Sequence, residues 1–225
     1  MARKNGKPEF AIVGLGRFGR SVALTLAERG YSVLGIDQDT QIVQHLADQL
    51  TQVVALDATN EDALRAMDIS SFDTVVVAIG SDFESNLLTT VALKNLGVNH
   101  VVCKALNQQQ RTILLRVGAD RVVLPEHEAG QRLAWRLAEP KVLDHLDLGS
   151  GFSVAEIAVP SFLVGQSLIE ARLRQRYGIN VLAIRRGGSQ GALIITPPPE
   201  YIFNASDLLL LIGTDGNITT FCERT

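Results

Sequence analysis

The chain has 225 residues, 46% of them apolar and 20% charged, with a net charge of −3 at pH 7. That size and composition suit a globular protein of one large or two modest domains with a sizeable core. The slight acidity argues against a surface built on a dense basic patch for nucleic acid, and it offers no attraction to anionic lipid.

From the start, Met1 to Glu9 is polar and basic and lacks the apolar segment of a secretory signal. No later apolar run is long enough to suggest a membrane-spanning helix. The two cysteines, Cys103 and Cys222, form no Cys-x-x-Cys and imply no disulfide framework. A reduced cytoplasmic protein is expected.

Phe10–Val13 opens a series of Val- and Ile-rich runs of strand length, continued by Ser32–Ile36, Val53–Leu56, Thr74–Ile79, Val98–Cys103 and Arg121–Leu124. Several lack polar alternation, as strands covered on both faces do. Helical periodicity fills the gaps. Arg17–Arg29 carries Val22, Ala23 and Leu26 on one face and stops at Gly30. Thr40–Leu50, Asn60–Met67, Ser85–Leu96 and Asn107–Val117 follow. Alternating strands and helices predict an α/β, doubly wound parallel sheet of Rossmann type over residues 1–140.

A further helix, Glu126 to Ala138, ends at Glu139-Pro140 and puts Leu133, Ala134, Trp135 and Leu137 on more than one face. Either Trp135 completes the core, or this helix also packs on a neighbouring subunit. Residues 141–151 are expected to be a linker or hinge helix, with Gly149-Ser150-Gly151 as the hinge. Residues 152–225 then form a small α+β unit. It comprises a strand at Phe152–Val159, a helix at Ser167–Arg176, strands at Val181–Ile184, Ala192–Thr196 and Leu208–Ile212, and a last helix at Asn217–Cys222. Pro197-Pro198-Pro199 is a rigid connector. A unit of about 75 residues gains from a partner subunit.

The chemistry concentrates at strand ends. Gly14-Leu15-Gly16-Arg17-Phe18-Gly19 joins the first strand to the first helix with the spacing of a dinucleotide-binding turn. Gly14 permits the turn, Gly16 lets a pyrophosphate approach the backbone, and Gly19 lets helix and strand pack closely. Arg17 sets a fixed positive charge where a phosphate chain would lie. Asp37 ends the second strand, where a carboxylate accepts ribose hydroxyls and repels a 2′-phosphate, so NADP is disfavoured. Asp57 and Ala58 end the third strand and could meet the adenine edge; Asp57 reads equally well as a cap for the next turn.

Ala78, Ile79 and Gly80 end the fourth strand and leave room for a ligand. Lys104 ends the fifth, with Gln109 just beyond, and is either a second cation for the phosphate tail or a solvent-facing lysine. Glu126 ends the sixth. It would oppose a phosphate unless Mg²⁺ or Ca²⁺ lay between, or it is a helix-start acid favoured by the dipole; both readings stand.

No Tyr-x-x-x-Lys pair, nucleophile elbow or carboxylate pair is present, and His45, His100, His127 and His145 lack metal-ligand spacing. The C-terminal unit is small for a dehydrogenase substrate domain. An NAD-dependent oxidoreductase is nevertheless the alternative reading of such a fold.

Together, Gly14–Gly19 with Arg17, Gly35-Ile36-Asp37, Asp57-Ala58-Thr59, Val77–Gly80, Lys104-Ala105 and Gly118–Val122 resemble RCK (KTN) domains, cytosolic regulators of potassium channels and transporters. The C-terminal unit matches less sharply, through Phe162–Leu168 and Tyr177–Val181, and Leu56 stands where many relatives have glycine. One nucleotide unit plus one C-terminal unit resembles Ktr-type gating subunits more than tandem TrkA-type proteins.

The resemblance implies a homodimer joined through the crossover helix and assembled into a homo-octameric ring. The ring would sit at the inner face of the membrane on an integral-membrane, potassium-translocating (KtrB-like) subunit, with no nucleic-acid partner. It implies ATP or ADP, and also NAD or NADH, at the glycine turn. Arg17 would reach the terminal phosphate and Glu126 would hold a divalent cation. It also implies cyclic di-AMP at the C-terminal unit, near Ile169, Ile179 and Asn180.

Overall fold

β1 (Glu9–Val13) is the buried centre of the N-terminal unit, with Ala11, Ile12 and Val13 nearly inaccessible to solvent. The structure, a computed structural model, describes residues 7–138 and 142–223, and its chain clusters into two units, Met1–His127 and Glu128–Thr225.

In the first unit β1 is followed by α1 (Arg17–Glu28), β2 (Ser32–Asp37), α2 (Thr40–Leu46), β3 (Gln52–Ala55), α3 (Glu61–Ala66), β4 (Thr74–Val77), α4 (Phe83–Asn95), β5 (Val101–Lys104), α5 (Gln108–Arg116) and β6 (Arg121–Val123). The six strands pair in parallel in the order β3-β2-β1-β4-β5-β6. This is the predicted doubly wound sheet. The chain leaves β1 first to one side and then to the other, so a crevice opens at the carboxyl ends of β1 and β4, where open α/β sheets take ligands.

The helix starts show which end is kept for something else. Asp39, Asn60, Asp82 and Asn107 cap α2, α3, α4 and α5, each side chain accepting from first-turn amides. Gly16 begins α1 with no side-chain cap. The first amides of α1 are therefore left to water or to an anion.

α6 (Pro125–Ala138) follows β6 and runs across the division between the units. Its expected end at Glu139-Pro140, and the boundary expected after residue 140, lie outside the described residues.

The second unit contains β7 (Val142–Gly149), β8 (Phe152–Ala158), α7 (Leu168–Ala171), α8 (Leu173–Tyr177), β9 (Asn180–Arg185), β10 (Leu193–Ile195), β11 (Leu208–Thr214) and α9 (Asp215–Glu223). Its sheet has the order β10-β9-β11-β8-β7, antiparallel throughout. Where a linker or hinge helix is expected over 141–151, Val142–Gly149 form strand β7. Gly149, Ser150 and Gly151, at φ 82°, 57° and 76°, make the tight turn of a hairpin into β8. Two register shifts in the β7–β8 ladder break the strict alternation that would have marked the strand. The single helix expected at Ser167–Arg176 divides into α7 and α8 because Arg172 takes a left-handed φ of 46°. Phe203, Phe221, Leu209, Leu211 and Ile179 fill the core of this unit.

Candidate nucleotide site

The glycine turn is held from three directions. Gly14 has φ +88°, and a Cβ there would stand 3.0 Å from the Ile79 amide nitrogen. A Cβ on Gly19 would lie 1.9 Å from the Gly14 carbonyl oxygen. Gly16 faces open space, with nothing within 4 Å of a built Cβ. Two of the glycines thus serve packing of β1, α1 and the end of β4, while the third leaves the approach to the helix start clear.

Asp37 provides the third support. Its Oδ2 accepts from the Leu15 amide at 2.6 Å and its Oδ1 from the Asp39 amide at 3.0 Å. The carboxylate expected to meet a ribose also ties the glycine turn to the end of β2. Each oxygen keeps a lone pair, so this tie and a hydroxyl contact are compatible.

Asp57 does not cap α3; Asn60 does. Instead the Asp57 Oδ1 accepts from the Thr59 amide at 3.0 Å, the Thr59 hydroxyl at 2.7 Å and Gln38 Nε2 at 3.0 Å. The Thr59 bonds, backbone first, hold its carboxyl below the usual range. Ala58 is buried beside it. Asp57 therefore caps the turn that leaves β3 and links it to Gln38 beyond β2.

Lys104 is not a solvent-facing lysine. Its side chain is 11% exposed and its Nζ stands 2.7 Å from Glu126 Oε1 and 5.8 Å from the centre of the Phe18 ring. It also lies against Gly80, where a Cβ would come 3.1 Å from Nζ. The room at Gly80 is thus filled by the lysine, which brings an ammonium to the carboxyl ends of β4 and β5. Gln109 is exposed in the first turn of α5; the neighbouring Gln110 accepts from the Leu106 amide at 2.9 Å and secures that loop.

Glu126 sits in the first turn of α6 and its carboxyl is held below its ordinary value, chiefly by the bond from Lys104. The positive group facing it is that lysine. Among the described residues no three His, Cys, Asp or Glu side chains gather as a cation cage. A divalent ion at this place would have Glu126 as its one carboxylate ligand among the described residues. Its remaining oxygens would come from phosphates, water or a second copy of the chain, and Glu126 Oε1 here pairs with Lys104.

Arg17 and Arg20 are exposed on the first turns of α1, without an ion pair among the described residues. They border an open groove of about 370 Å³ with Gly16, Asp39, Gln41 and His45, floored by Leu15, Ile42 and Leu46. Cations therefore flank the uncapped helix start, with Arg17 on the α2 side and Lys104 beyond β4. That arrangement offers fixed positive charge and free backbone amides, the chemistry that suits a polyanion.

Residues 10–125 match the TrkA-N domain and residues 154–225 the TrkA-C domain. The chain belongs to the TrkA-N/TrkA-C family. It is 37% identical to Ktr system potassium uptake protein C of Bacillus subtilis over 97% of both chains. It is 32% identical to Ktr system potassium uptake protein A of Vibrio alginolyticus over 93% of this chain and 94% of that one. Among solved structures, the GsuK channel matches with TM-score 0.70 at 20% identity, covering 98% of this TrkA-N/TrkA-C chain and 40% of the channel chain. The GsuK channel bound to NAD matches with TM-score 0.56 at 27% identity, covering 99% of this chain and 39% of the other. Among the described residues, no helix of this TrkA-N/TrkA-C protein is long and apolar enough to cross a membrane.

Two features of the site were not legible in the sequence. One is the Lys104–Glu126 pair, between residues 22 apart. The other is Asn86 on α4, whose side chain bonds the Ile79 and Lys104 carbonyls. In the second unit Ile179 is fully buried, and a Cβ on Gly213 of β11 would lie 2.9 Å from it. Of the three residues expected near a cyclic di-AMP site, Ile179 thus has its side chain in the core, while Ile169 and Asn180 are exposed.

Proposed function

We propose that this chain is the nucleotide-sensing regulatory subunit of a potassium uptake system, and not an enzyme. ATP or ADP binds at the glycine turn, with NAD or NADH as an alternative occupant of the same cleft. The occupant's state is relayed to an integral-membrane, potassium-translocating partner. The observation that carries this reading is the uncapped start of α1 between Arg17 and Lys104, a cradle for a chain of phosphates. Near full-length similarity to Ktr potassium uptake proteins supports the physiological setting. A similar solved channel bound to NAD supports a dinucleotide as one occupant.

The relay follows from differential affinity. A ligand shifts an equilibrium between two states only by as much as it prefers one of them. ADP lacks the outer phosphate and so cannot engage Arg17 as ATP does. The two nucleotides then bias a homodimer, and the homo-octameric ring built from it, toward different arrangements. The ring acts at the inner face of the membrane, and Ile169 and Asn180 on the second unit leave open a further input from cyclic di-AMP.

Arg17→Ala tests the reading. Loss of a charge-assisted contact should weaken ATP binding by about tenfold or more and ADP binding by much less, measured by titration calorimetry. An equal fall for both nucleotides would remove Arg17 from the discrimination. Oxidation of NADH by the pure protein with a panel of carbonyl compounds would favour the oxidoreductase alternative.

A further inference from the structure

Asn86 is 2% exposed in the first turns of α4. Its Nδ2 donates to the Ile79 carbonyl at 2.7 Å and to the Lys104 carbonyl at 3.0 Å. The paired register of β4 and β5 closes at Val77 and Cys103. Both accepting carbonyls lie past that last pair. One amide nitrogen, using both of its protons, spans the gap.

The reverse orientation of this amide would set its carbonyl oxygen against two others, so the network itself fixes which way the group points. The Oδ1 is left buried without a partner. An apolar side chain would avoid that orphan acceptor but would also release the two strand ends.

What the tie holds is the phosphate side of the cleft. Gly80 follows Ile79 directly. The Lys104 side chain runs from the second tied carbonyl to a point where Nζ lies 3.1 Å from a Cβ built on Gly80 and 2.7 Å from Glu126 Oε1. A change in the spacing of the two carbonyls moves the ammonium relative to both. We propose that Asn86 is the positioning residue of the nucleotide site: it touches no ligand, and it sets where the Lys104 charge stands and so how strongly the phosphates are held. The inference rests on the reading of this cleft as a phosphate-chain site.

A double-mutant cycle on the full chain tests it, with ATP and ADP dissociation constants read by calorimetry for wild type, Asn86→Ala, Lys104→Met and the double variant. Lys104→Met should weaken ATP by about tenfold. Asn86→Ala should weaken ATP about fivefold in the wild-type background and less than about twofold when Lys104 is already gone, because the two act as one unit. Multiplying effects, or unchanged affinity in Asn86→Ala, would overturn the inference while leaving the phosphate-site reading in place. Unchanged ATP affinity in Lys104→Met would overturn both. If Asn86→Ala does not fold, Asn86→Ser, which keeps one donor, replaces it in the same cycle with the same expected coupling.

Discussion

Gly14, Gly16 and Gly19 share one motif and meet different surroundings, so the same substitution should have different consequences. Gly19→Ala drives a methyl to 1.9 Å from a backbone oxygen. That clash is relieved only by moving α1 off the sheet, and a loss of about 3 kcal/mol or more is expected. Gly16→Ala meets nothing within 4 Å at an ordinary φ of −63°. Its stability should stay within about 0.5 kcal/mol of wild type, while nucleotide affinity falls because the methyl occupies the approach to the helix start. Urea unfolding and calorimetry on the two variants separate packing from binding. Asp37 calls for a similar separation. A residue that only met a ribose could be replaced without effect on the unliganded protein. Asp37→Asn exchanges one accepting oxygen for a donor facing a backbone amide, and the unliganded protein should lose about 1–2 kcal/mol by urea unfolding. The glycine spacing and the strand-end acid were both legible in the sequence, since each depends on neighbours along the chain. The tie from Asp37 to Leu15 was not, because it joins residues from two elements.

Among elements, the central strands β1, β2 and β4 announce themselves because both faces are covered and their apolar runs are buried. β7 does not. Its sequence, Val142-Leu143-Asp144-His145-Leu146-Asp147-Leu148-Gly149, mixes polar and apolar residues at neither helical nor strand period, and the reason is the pair of register shifts against β8. The second unit is also pinned by a polar hub whose partners are scattered in sequence. Asp207, buried at the start of β11, accepts from the Tyr201 hydroxyl at 2.8 Å, the Asn204 amide at 3.0 Å and the Gly187 amide at 3.2 Å. Burial pushes its carboxyl up, but these donors outweigh it and hold it below the ordinary carboxylate value. A carboxyl lowered on folding stabilises the protein above its unfolded pKa and loses that contribution as pH falls through the folded one. Asp207→Asn should therefore cost about 1–3 kcal/mol at pH 7. The gap between variant and wild type should narrow as the pH is lowered through the carboxylate range, as followed by urea unfolding at successive pH values. A gap that stays constant with pH would mean that the hub's charge contributes nothing.

At the scale of the whole molecule, α6 presents the face on which the proposed homodimer would form. Trp135 is half-buried and stacks on His145, centroids 4.3 Å apart and planes 12° from parallel. Leu133 and Leu137, one turn apart on the same face, are 57% and 72% exposed. An isolated chain gains nothing by presenting them to water, and a second copy laid along α6 would cover them. Replacing both with lysine should leave the folded subunit intact, since neither side chain is buried in it, and should lower the native mass from an even-numbered assembly to a single chain. Native mass measurement with ATP, with ADP and without nucleotide then links this surface to the cleft. If the α6 face carries the relay, the lysine variant should still bind nucleotide at the glycine turn, because Lys104, Arg17 and the uncapped α1 all belong to one chain. It should also lose any difference in affinity between ATP and ADP that arises from assembly. Retention of the full difference by a single chain would place discrimination wholly in the cleft and leave the assembly as a passive carrier of the signal.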